Sequence, residues 1–230
     1  MKTSAVIVAA GSSIRFGGPL PKQFVTVAGR PMLAWTLDRF ERAKSIDEIV
    51  LVVAEDQILF TGEKVINRYE YTKVTRVIPG GARRQESVLK GLESLPVSTK
   101  LVAIHDGARP LVSPDDIDAA VESAGQEKAV ILAARVSDTV KRVTDGYVMS
   151  TQERSDLWLA QTPQVFEYNL ILESHRRAAR ENMEVTDDAS LIESAGFKVC
   201  VVEARSPNLK VTDRADLKVV EALLKGEVRE

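Results

Sequence analysis

The chain has 230 residues, enough to bury a substantial core and few enough to form one α/β domain of ordinary size. Its 31 Lys and Arg nearly balance 33 Asp and Glu, and the net charge of -2 provides no general field for nucleic acid or an anionic membrane. An anionic partner must therefore meet a local basic cluster.

Short apolar, β-rich runs alternate with longer segments of helical period. The first run, Ala5 to Ala10, is too short for a signal-peptide core or a membrane span, no other run approaches membrane length, and a cytoplasmic location follows by default. Pro31 opens a helix that places Met32, Leu33, Leu37 and Phe40 on one face. Further runs occur at residues 49–53, 74–78, 101–104 and 129–133. Helices are expected over 85–93 and after Ser113, which reads as an N-cap followed by Pro114 and an acidic first turn. This rhythm predicts a mostly parallel twisted sheet flanked by helices, with ligands beyond the carboxyl ends of its strands. From Arg135 to Gln161 the rhythm breaks. Thr139–Val143, a Thr144-Asp-Gly146 turn and Tyr147–Met149 read as a two-stranded hairpin, forming an arm over 136–158. An aromatic strand around 164–166, a helix over 168–180, a capped helix starting near Thr186, a strand around Cys200 and a closing helix from about Asp213 complete the chain. No repeat or linker interrupts it, so residues 1–230 are expected to form a single domain. Cys200, in an apolar run, reads as a small buried side chain, and one cysteine permits no disulfide within the chain.

The first strand ends in a turn of small residues, Ala9 to Gly18, followed by Pro19-Leu-Pro-Lys-Gln-Phe24. Small residues let the backbone approach a polyphosphate, successive amides can face its oxygens, and Arg15 and Lys22 add charge there. The turn lacks G-x-G-x-x-G, because Ser13 follows Gly11 and Ser12. Glu55 follows Gly11 by 44 residues, against about 20 for the ribose-binding acid of a dinucleotide fold. A Walker A loop would place Gly-Lys-Ser/Thr at the helix start, and that is absent too.

Together, Ala9-Ala-Gly11 with Arg15, Pro21-Lys-Gln23, His105-Asp-Gly-Ala-Arg-Pro110, Asp138-Thr139, Leu159-Ala-Gln-Thr-Pro-Gln164, Thr186-Asp-Asp188 and Asn208-Leu-Lys-Val-Thr212 resemble the 2-C-methyl-D-erythritol 4-phosphate cytidylyltransferase family. The resemblance runs in order over nearly the whole chain. It departs at Ser13, where the family usually has glycine, and at Gly107, where alanine is common. It implies a Rossmann-like nucleotidyltransferase α/β fold with CTP and a polyol phosphate as substrates. It also implies a step of non-mevalonate isoprenoid synthesis. Ribitol 5-phosphate cytidylyltransferases share much of the motif set and form the nearest alternative. A nucleotide-binding regulator without turnover is another.

The resemblance further implies that Ala9, Ala10, Gly11 and Ser12 carry the triphosphate, and that Pro79, Gly80 and Gly81 hold cytosine through backbone groups with a hydroxyl contact from Ser87. An ordinary helix entry, with Ser87 turned to the core, is the competing reading of that segment. Asp106 would hold Mg2+ while Arg109 supports the loop or meets phosphate. Alternatively, Asp106 is a turn aspartate with Arg109 as its ion-pair partner. Thr139, Arg154, Thr162, Thr186 and Lys210 are gathered by the resemblance around the phosphate of the second substrate. Singly, Thr186 could cap a helix, Thr162 satisfy a turn, and Arg154 and Lys210 be surface charges. His105 is taken as structural. The implied chemistry is in-line attack of a phosphate oxygen on the α-phosphorus of CTP, with Arg15, Lys22, Arg154 and Lys210 as its catalytic cations. The arm, too small to be stable by itself, is expected to embrace a second copy in a two-fold dimer and deliver Thr139 and Arg154 to its site.

Overall fold

The computed structural model describes residues 1–11, 16 and 21–227. Among the described residues are eleven strands: β1 (Thr3–Ala9), β2 (Thr26–Val27), β3 (Arg30–Pro31), β4 (Glu48–Val53), β5 (Val74–Pro79), β6 (Leu101–Asp106), β7 (Ala129–Arg135), β8 (Lys141–Thr144), β9 (Tyr147–Thr151), β10 (Trp158–Glu167) and β11 (Cys200–Glu203). The helices are α1 (Met32–Arg42), α2 (Ile58–Thr61), α3 (Asn67–Tyr69), α4 (Arg84–Glu93), α5 (Pro114–Glu127), α6 (Tyr168–Glu181), α7 (Ala189–Ser194) and α8 (Arg214–Glu227).

Seven strands form one sheet in the order β11-β7-β10-β6-β1-β4-β5. β1 lies between parallel partners, with Val6 beside both Val50 and Ile104. β10 runs antiparallel to β6 and β7, while β11 and β5 pair in parallel with β7 and β4. One strand is thus reversed in an otherwise parallel sheet. Along β1, Ala5, Ile7 and Ala9 face a core closed by Leu33, Leu37 and Phe40 of α1 and by Ile117 and Ala120 of α5. Val6 faces the opposite layer, where Val88 and Leu92 of α4, Ile171 of α6 and Ile192 of α7 pack. Burial on both faces explains why the strands read as continuous apolar runs. α4 comes so close that a Cβ on Gly91 would lie 2.4 Å from Val6 Cγ1. A third cluster joins Val27, Met32 and Trp35 to Val211, Val220 and Leu224, fixing α8 and the segment before it beside the end of the sheet.

Some elements differ from the sequence expectation. After β4 the chain forms α2, a π-helical turn over Gly62–Ile66, and α3, none of which the periodicity announces. Leu59 and Phe60 are exposed there, and the wider π turn shifts the phase of the buried residues, so no 3.6-residue stripe survives. The helix expected near Thr186 begins at Ala189, and Asp187 rather than Thr186 accepts the Ser190 amide, at 3.1 Å. Cys200 is half-buried on the edge strand β11 rather than enclosed. The strand around 164–166 is the inner end of the ten-residue β10.

The arm leaves the sheet where β7 ends and β10 begins, with Trp158 opposite Arg135 and the Val136 amide donating to Leu157 O. β8 and β9 pair across Asp145-Gly146, both at positive φ (49° and 83°) as a two-residue hairpin turn requires. Because β7 is parallel to β6, the arm rises from the same end of the sheet at which β1 and β6 deliver their last residues.

Candidate active site

A cleft of about 510 Å3 opens at the carboxyl ends of β1 and β6. Its lining includes Ala9, Ala10 and Gly11 from the end of β1, Lys22 from the Pro-Lys-Gln segment, Gly81 and Ser87 around the entry to α4, Asp106 at the end of β6, and Lys210. The topology alone accounts for this convergence, since parallel neighbours end together and their following loops share one rim.

The wall beside α4 is tightly built. Ser87 Oγ accepts the Gly81 amide at 3.0 Å and donates to Arg83 O at 3.1 Å, so its hydroxyl shapes the loop from a buried position on the cleft wall. Gly80, which follows Pro79 at the end of β5, continues the ladder by donating its amide to Val53 O at 2.8 Å. A Cβ on Gly80 would lie 2.4 Å from Ala10 Cβ, which makes glycine a steric requirement there. Across the cleft, Gln23 is buried and donates Nε2 to Ala9 O at 2.7 Å, tying the Pro-Lys-Gln segment to the end of β1. Lys22 Nζ donates to Val211 O at 2.8 Å.

Asp106 is the hub of the floor. Its Oδ1 accepts from Arg84 Nε at 2.9 Å, Lys210 Nζ lies 2.7 Å from Oδ2, and Arg109 Nε stands 3.8 Å from Oδ2. Burial by itself would raise the Asp106 pKa, but Arg84 and Lys210 outweigh it and hold the carboxyl well below its usual range. Arg84 continues to Asp188, donating Nη2 to Oδ2 at 2.8 Å, and Asp188 Oδ1 accepts from His175 Nε2 at 3.1 Å. Burial opposes the charge on Asp188 too, and Arg84 and His175 pull its pKa down.

Behind Asp106, Thr162 Oγ1 accepts the Asp106 amide at 3.1 Å and lies 3.0 Å from His105 Nδ1. His105 Nε2 is 3.2 Å from Arg109 O, a pure acceptor, so Nε2 carries the proton and Nδ1 accepts from the Thr162 hydroxyl. Complete burial pushes the His105 pKa down to about 3, which keeps the ring neutral and structural. Arg109 supports the loop: Nη1 donates to Asn208 O at 2.8 Å, and Val211 N reaches Ala108 O at the same distance. Asn208 Nδ2 is bound in turn by Thr162 O and Gln161 Oε1, both at 2.8 Å. The strap 208–211 that carries Lys210 is therefore fixed to the floor.

The sequence-selected residues thus divide. Ala9, Ala10, Gly11, Lys22, Gly81, Ser87, Asp106 and Lys210 meet in the cleft, with Pro79 and Gly80 leading into its wall and Arg109 and Thr162 behind its floor. Thr139 and Arg154 sit exposed on the arm, where Arg154 Nη1 bonds Ser137 O. Thr186 is exposed and does not line the cleft. Arg15, Ser12 and Ser13 lie outside the described residues. Sequence reasoning misses Arg84, which stands in a segment whose glycines draw the attention. The signal was available: an arginine in the first turn of a helix faces the positive end of the helix dipole and needs acidic partners. One of them, Asp188, sits in the Thr-Asp-Asp motif without an assigned role.

Among the described residues no group of three His, Cys, Asp or Glu gathers to hold a metal, and Asp106 is the one carboxylate lining the cleft. That set fits a Mg2+ held by one carboxylate together with nucleotide phosphates and water, as Mg2+ ordinarily is in phosphoryl-transfer sites. It does not fit a cation caged by the protein alone.

A family model described as 2-C-methyl-D-erythritol 4-phosphate cytidylyltransferase matches residues 3–226. Proteins of that name from Pelotomaculum thermopropionicum and Halalkalibacterium halodurans are 41% and 43% identical over 226 and 229 residues, spanning 98% and 100% of this chain and 95% and 100% of theirs. A solved structure of 4-diphosphocytidyl-2C-methyl-D-erythritol synthase from Anaerococcus prevotii superposes with a TM-score of 0.86 at 34% identity, covering 97% of this chain and 98% of the other. The structure of 2-C-methyl-D-erythritol 4-phosphate cytidylyltransferase from Thermus thermophilus gives 0.79 at 32%, covering 98% and 100%.

Proposed function

The chain belongs to the 2-C-methyl-D-erythritol 4-phosphate cytidylyltransferase family, and from that premise we propose how its cleft transfers CMP from CTP to methylerythritol 4-phosphate, releasing pyrophosphate in isoprenoid precursor synthesis. One observation carries the reading. A glycine-walled cleft at the strand ends brings Lys22, Lys210 and the cation-clamped Asp106 together. Mere nucleotide binding does not call for such a clamp around a reacting phosphorus.

A phosphate oxygen of the acceptor attacks the α-phosphorus of CTP. The new P–O bond forms as the bond from the α-phosphorus to the bridging oxygen breaks, and the electron pair leaves with pyrophosphate. The phosphate monoester is already ionised near neutral pH, so no general base and no covalent enzyme intermediate are needed. Lys22 stabilises charge that gathers around the α-phosphorus, with Arg15 assigned beside it from the sequence resemblance. The backbone of Ala9–Gly11 accommodates the triphosphate, with Ser12 assigned there from the sequence resemblance alone, and Gly80, Gly81 and the Ser87-shaped loop accommodate cytosine. When bound, Mg2+ supplies charge neutralisation across the phosphates, and Asp106 is the side chain that would hold it. Lys210, on its fixed strap, is placed to exchange its Asp106 contact for the acceptor's phosphate, while Thr162, whose hydroxyl is committed to His105 and the Asp106 amide, positions the floor.

The arm supplies the remainder. Val143, Tyr147, Val148 and Met149 are exposed on a hairpin that in one chain has no surface to cover. Such a hairpin is marginal in isolation, which supports a two-fold homodimer in which Thr139 and Arg154 reach the acceptor phosphate of the neighbouring site. The cytoplasm is the compartment proposed. No helix among the described residues is long and apolar enough to cross a membrane.

The test incubates the protein with Mg2+ and each nucleoside triphosphate against methylerythritol 4-phosphate, ribitol 5-phosphate and related polyol phosphates, measuring pyrophosphate and the cytidylylated product. CTP with methylerythritol 4-phosphate should turn over fastest. Preference for ribitol 5-phosphate, or no pyrophosphate with any pair, would refute the assignment.

A further inference from the structure

Arg84 occupies an unfavourable place for a cation. It is half-buried, and it stands at the first residue of α4, against the positive end of the helix dipole. Two carboxylates offset both costs: Asp106 Oδ1, 2.9 Å from Nε, and Asp188 Oδ2, 2.8 Å from Nη2. The two anchors differ in kind. Asp106 faces the cleft, whereas Asp188 is 1% exposed and is not a cleft-lining residue. Asp188 is itself immobilised, since its Oδ1 accepts from His175 and its amide donates to Gln164 Oε1 at 3.0 Å. It forms a fixed post, and the guanidinium spans from that post to the Asp106 carboxylate. A lysine ammonium, a point charge on a flexible stem, cannot reproduce a planar fork that reaches two acceptors in set directions.

We propose, resting on the reading of the cleft as a cytidylyltransferase site, that Arg84 is a positioning residue. Held by Asp188, it fixes the Asp106 carboxylate through Oδ1 and leaves Oδ2, the oxygen that Lys210 contacts, for the divalent cation that accompanies the nucleoside triphosphate. Arg84 thereby acts on phosphoryl transfer through Asp106. This role would tie Asp188, in the loop before α7, to a site it does not line. Side chains that orient a ligating carboxylate generally change metal affinity or activity by about 10- to 100-fold when altered.

The experiment compares wild type, Arg84→Lys, Asp188→Asn and the double variant. Mn2+ binding in the presence of CTP is followed by electron paramagnetic resonance without any acceptor, and kcat and the CTP KM are measured with acceptor. Arg84→Lys should weaken Mn2+ binding by about tenfold or more and lower kcat by a similar factor, with the CTP KM within about threefold of wild type. Asp188→Asn should do the same from outside the cleft, and the double variant should lose no more than the worse single one, because both changes break one connection. Should Asp188→Asn fail to fold, Arg84→Gln replaces it and should weaken Mn2+ at least as much as Arg84→Lys. Mn2+ affinity within about twofold of wild type in a folded Arg84 variant would reduce the network to a structural tie between α4 and α7, and multiplied losses in the double variant would refute the shared path. Wild type that binds no Mn2+ with CTP would remove the underlying cytidylyltransferase reading instead, and the proposal with it.

Discussion

Asp106 on the cleft floor is 7% exposed and receives Arg84 and Lys210 on its two oxygens, whereas every residue from Lys141 to Thr151 on the arm is exposed. The floor is held by bonds from α4, β10 and the 208–211 strap, elements far apart in sequence. The arm's contacts stay local, such as Lys141 Nζ to Thr151 Oγ1 at 2.7 Å and Gln152 N to Val140 O at 2.9 Å. The contrast teaches where each region finds its order. The Asp106–Arg84–Asp188 connection is preorganised within one chain, so the floor's main adjustment when substrate arrives is the exchange of the Lys210 contact. The arm displays Thr139 and Arg154 on either side of a hairpin that is marginal by itself and that the proposed dimer would cover.

If the floor is complete in one chain, substitutions there should act on chemistry, and the largest effect should come from Lys22. Replacing it with alanine should lower kcat by about 10²- to 10³-fold while leaving CTP binding nearly intact, as steady-state kinetics with a CTP-binding assay will show. A loss confined to the CTP KM would make Lys22 an ordinary binding residue.

The next effect is on stability. His105 is neutral in the folded protein, with its pKa pushed down to about 3 by burial, whereas the unfolded chain takes up a proton below about pH 6.5. Its contribution is fully present above that value and is lost as pH falls toward 3, at about 1.4 kcal/mol per pH unit. Urea unfolding between pH 7 and pH 4 should show this slope, and His105→Gln should flatten it. An unchanged slope in the variant would place the acid sensitivity elsewhere.

The smallest effect lies on the arm. A Cβ added to Gly146 would meet nothing within 4 Å, but the residue sits at φ 83°, so Gly146→Ala strains the turn by about 1 kcal/mol without a clash. If the proposed two-fold dimer orders the arm, both arms of the dimer carry the strain, and it should appear as a roughly thirtyfold weaker dimer in sedimentation equilibrium. The same loss appearing in monomer unfolding would mean that the arm is stabilised by its own chain.

Much of this was legible in the sequence. Two-sided burial writes the parallel strands as continuous apolar runs, and small residues at the end of β1 mark a cleft that only a close backbone approach requires. The hairpin was readable from Asp145-Gly146, whose backbone the turn demands. Less legible was what depends on contacts between distant segments. The Arg84–Asp188 connection spans 104 positions, and neither residue has a local pattern that names its partner. The π turn after β4 hid its helix because it breaks the period by which helices are read. Cys200 read as buried because an apolar run does not tell a central strand from an edge.

The proposed division between a cleft built by one chain and an arm that serves another can be measured by complementation. Inactive Lys22→Ala chains are mixed with inactive Arg154→Ala chains under conditions that allow subunit exchange. If Arg154 acts in the neighbouring site, each mixed dimer has one site with both residues and one with neither. Equal amounts should then recover about a quarter of wild-type activity, since half the dimers are mixed and one site of two works. No recovery despite demonstrated exchange, or a wild-type protein that is monomeric at assay concentration, would contradict the account.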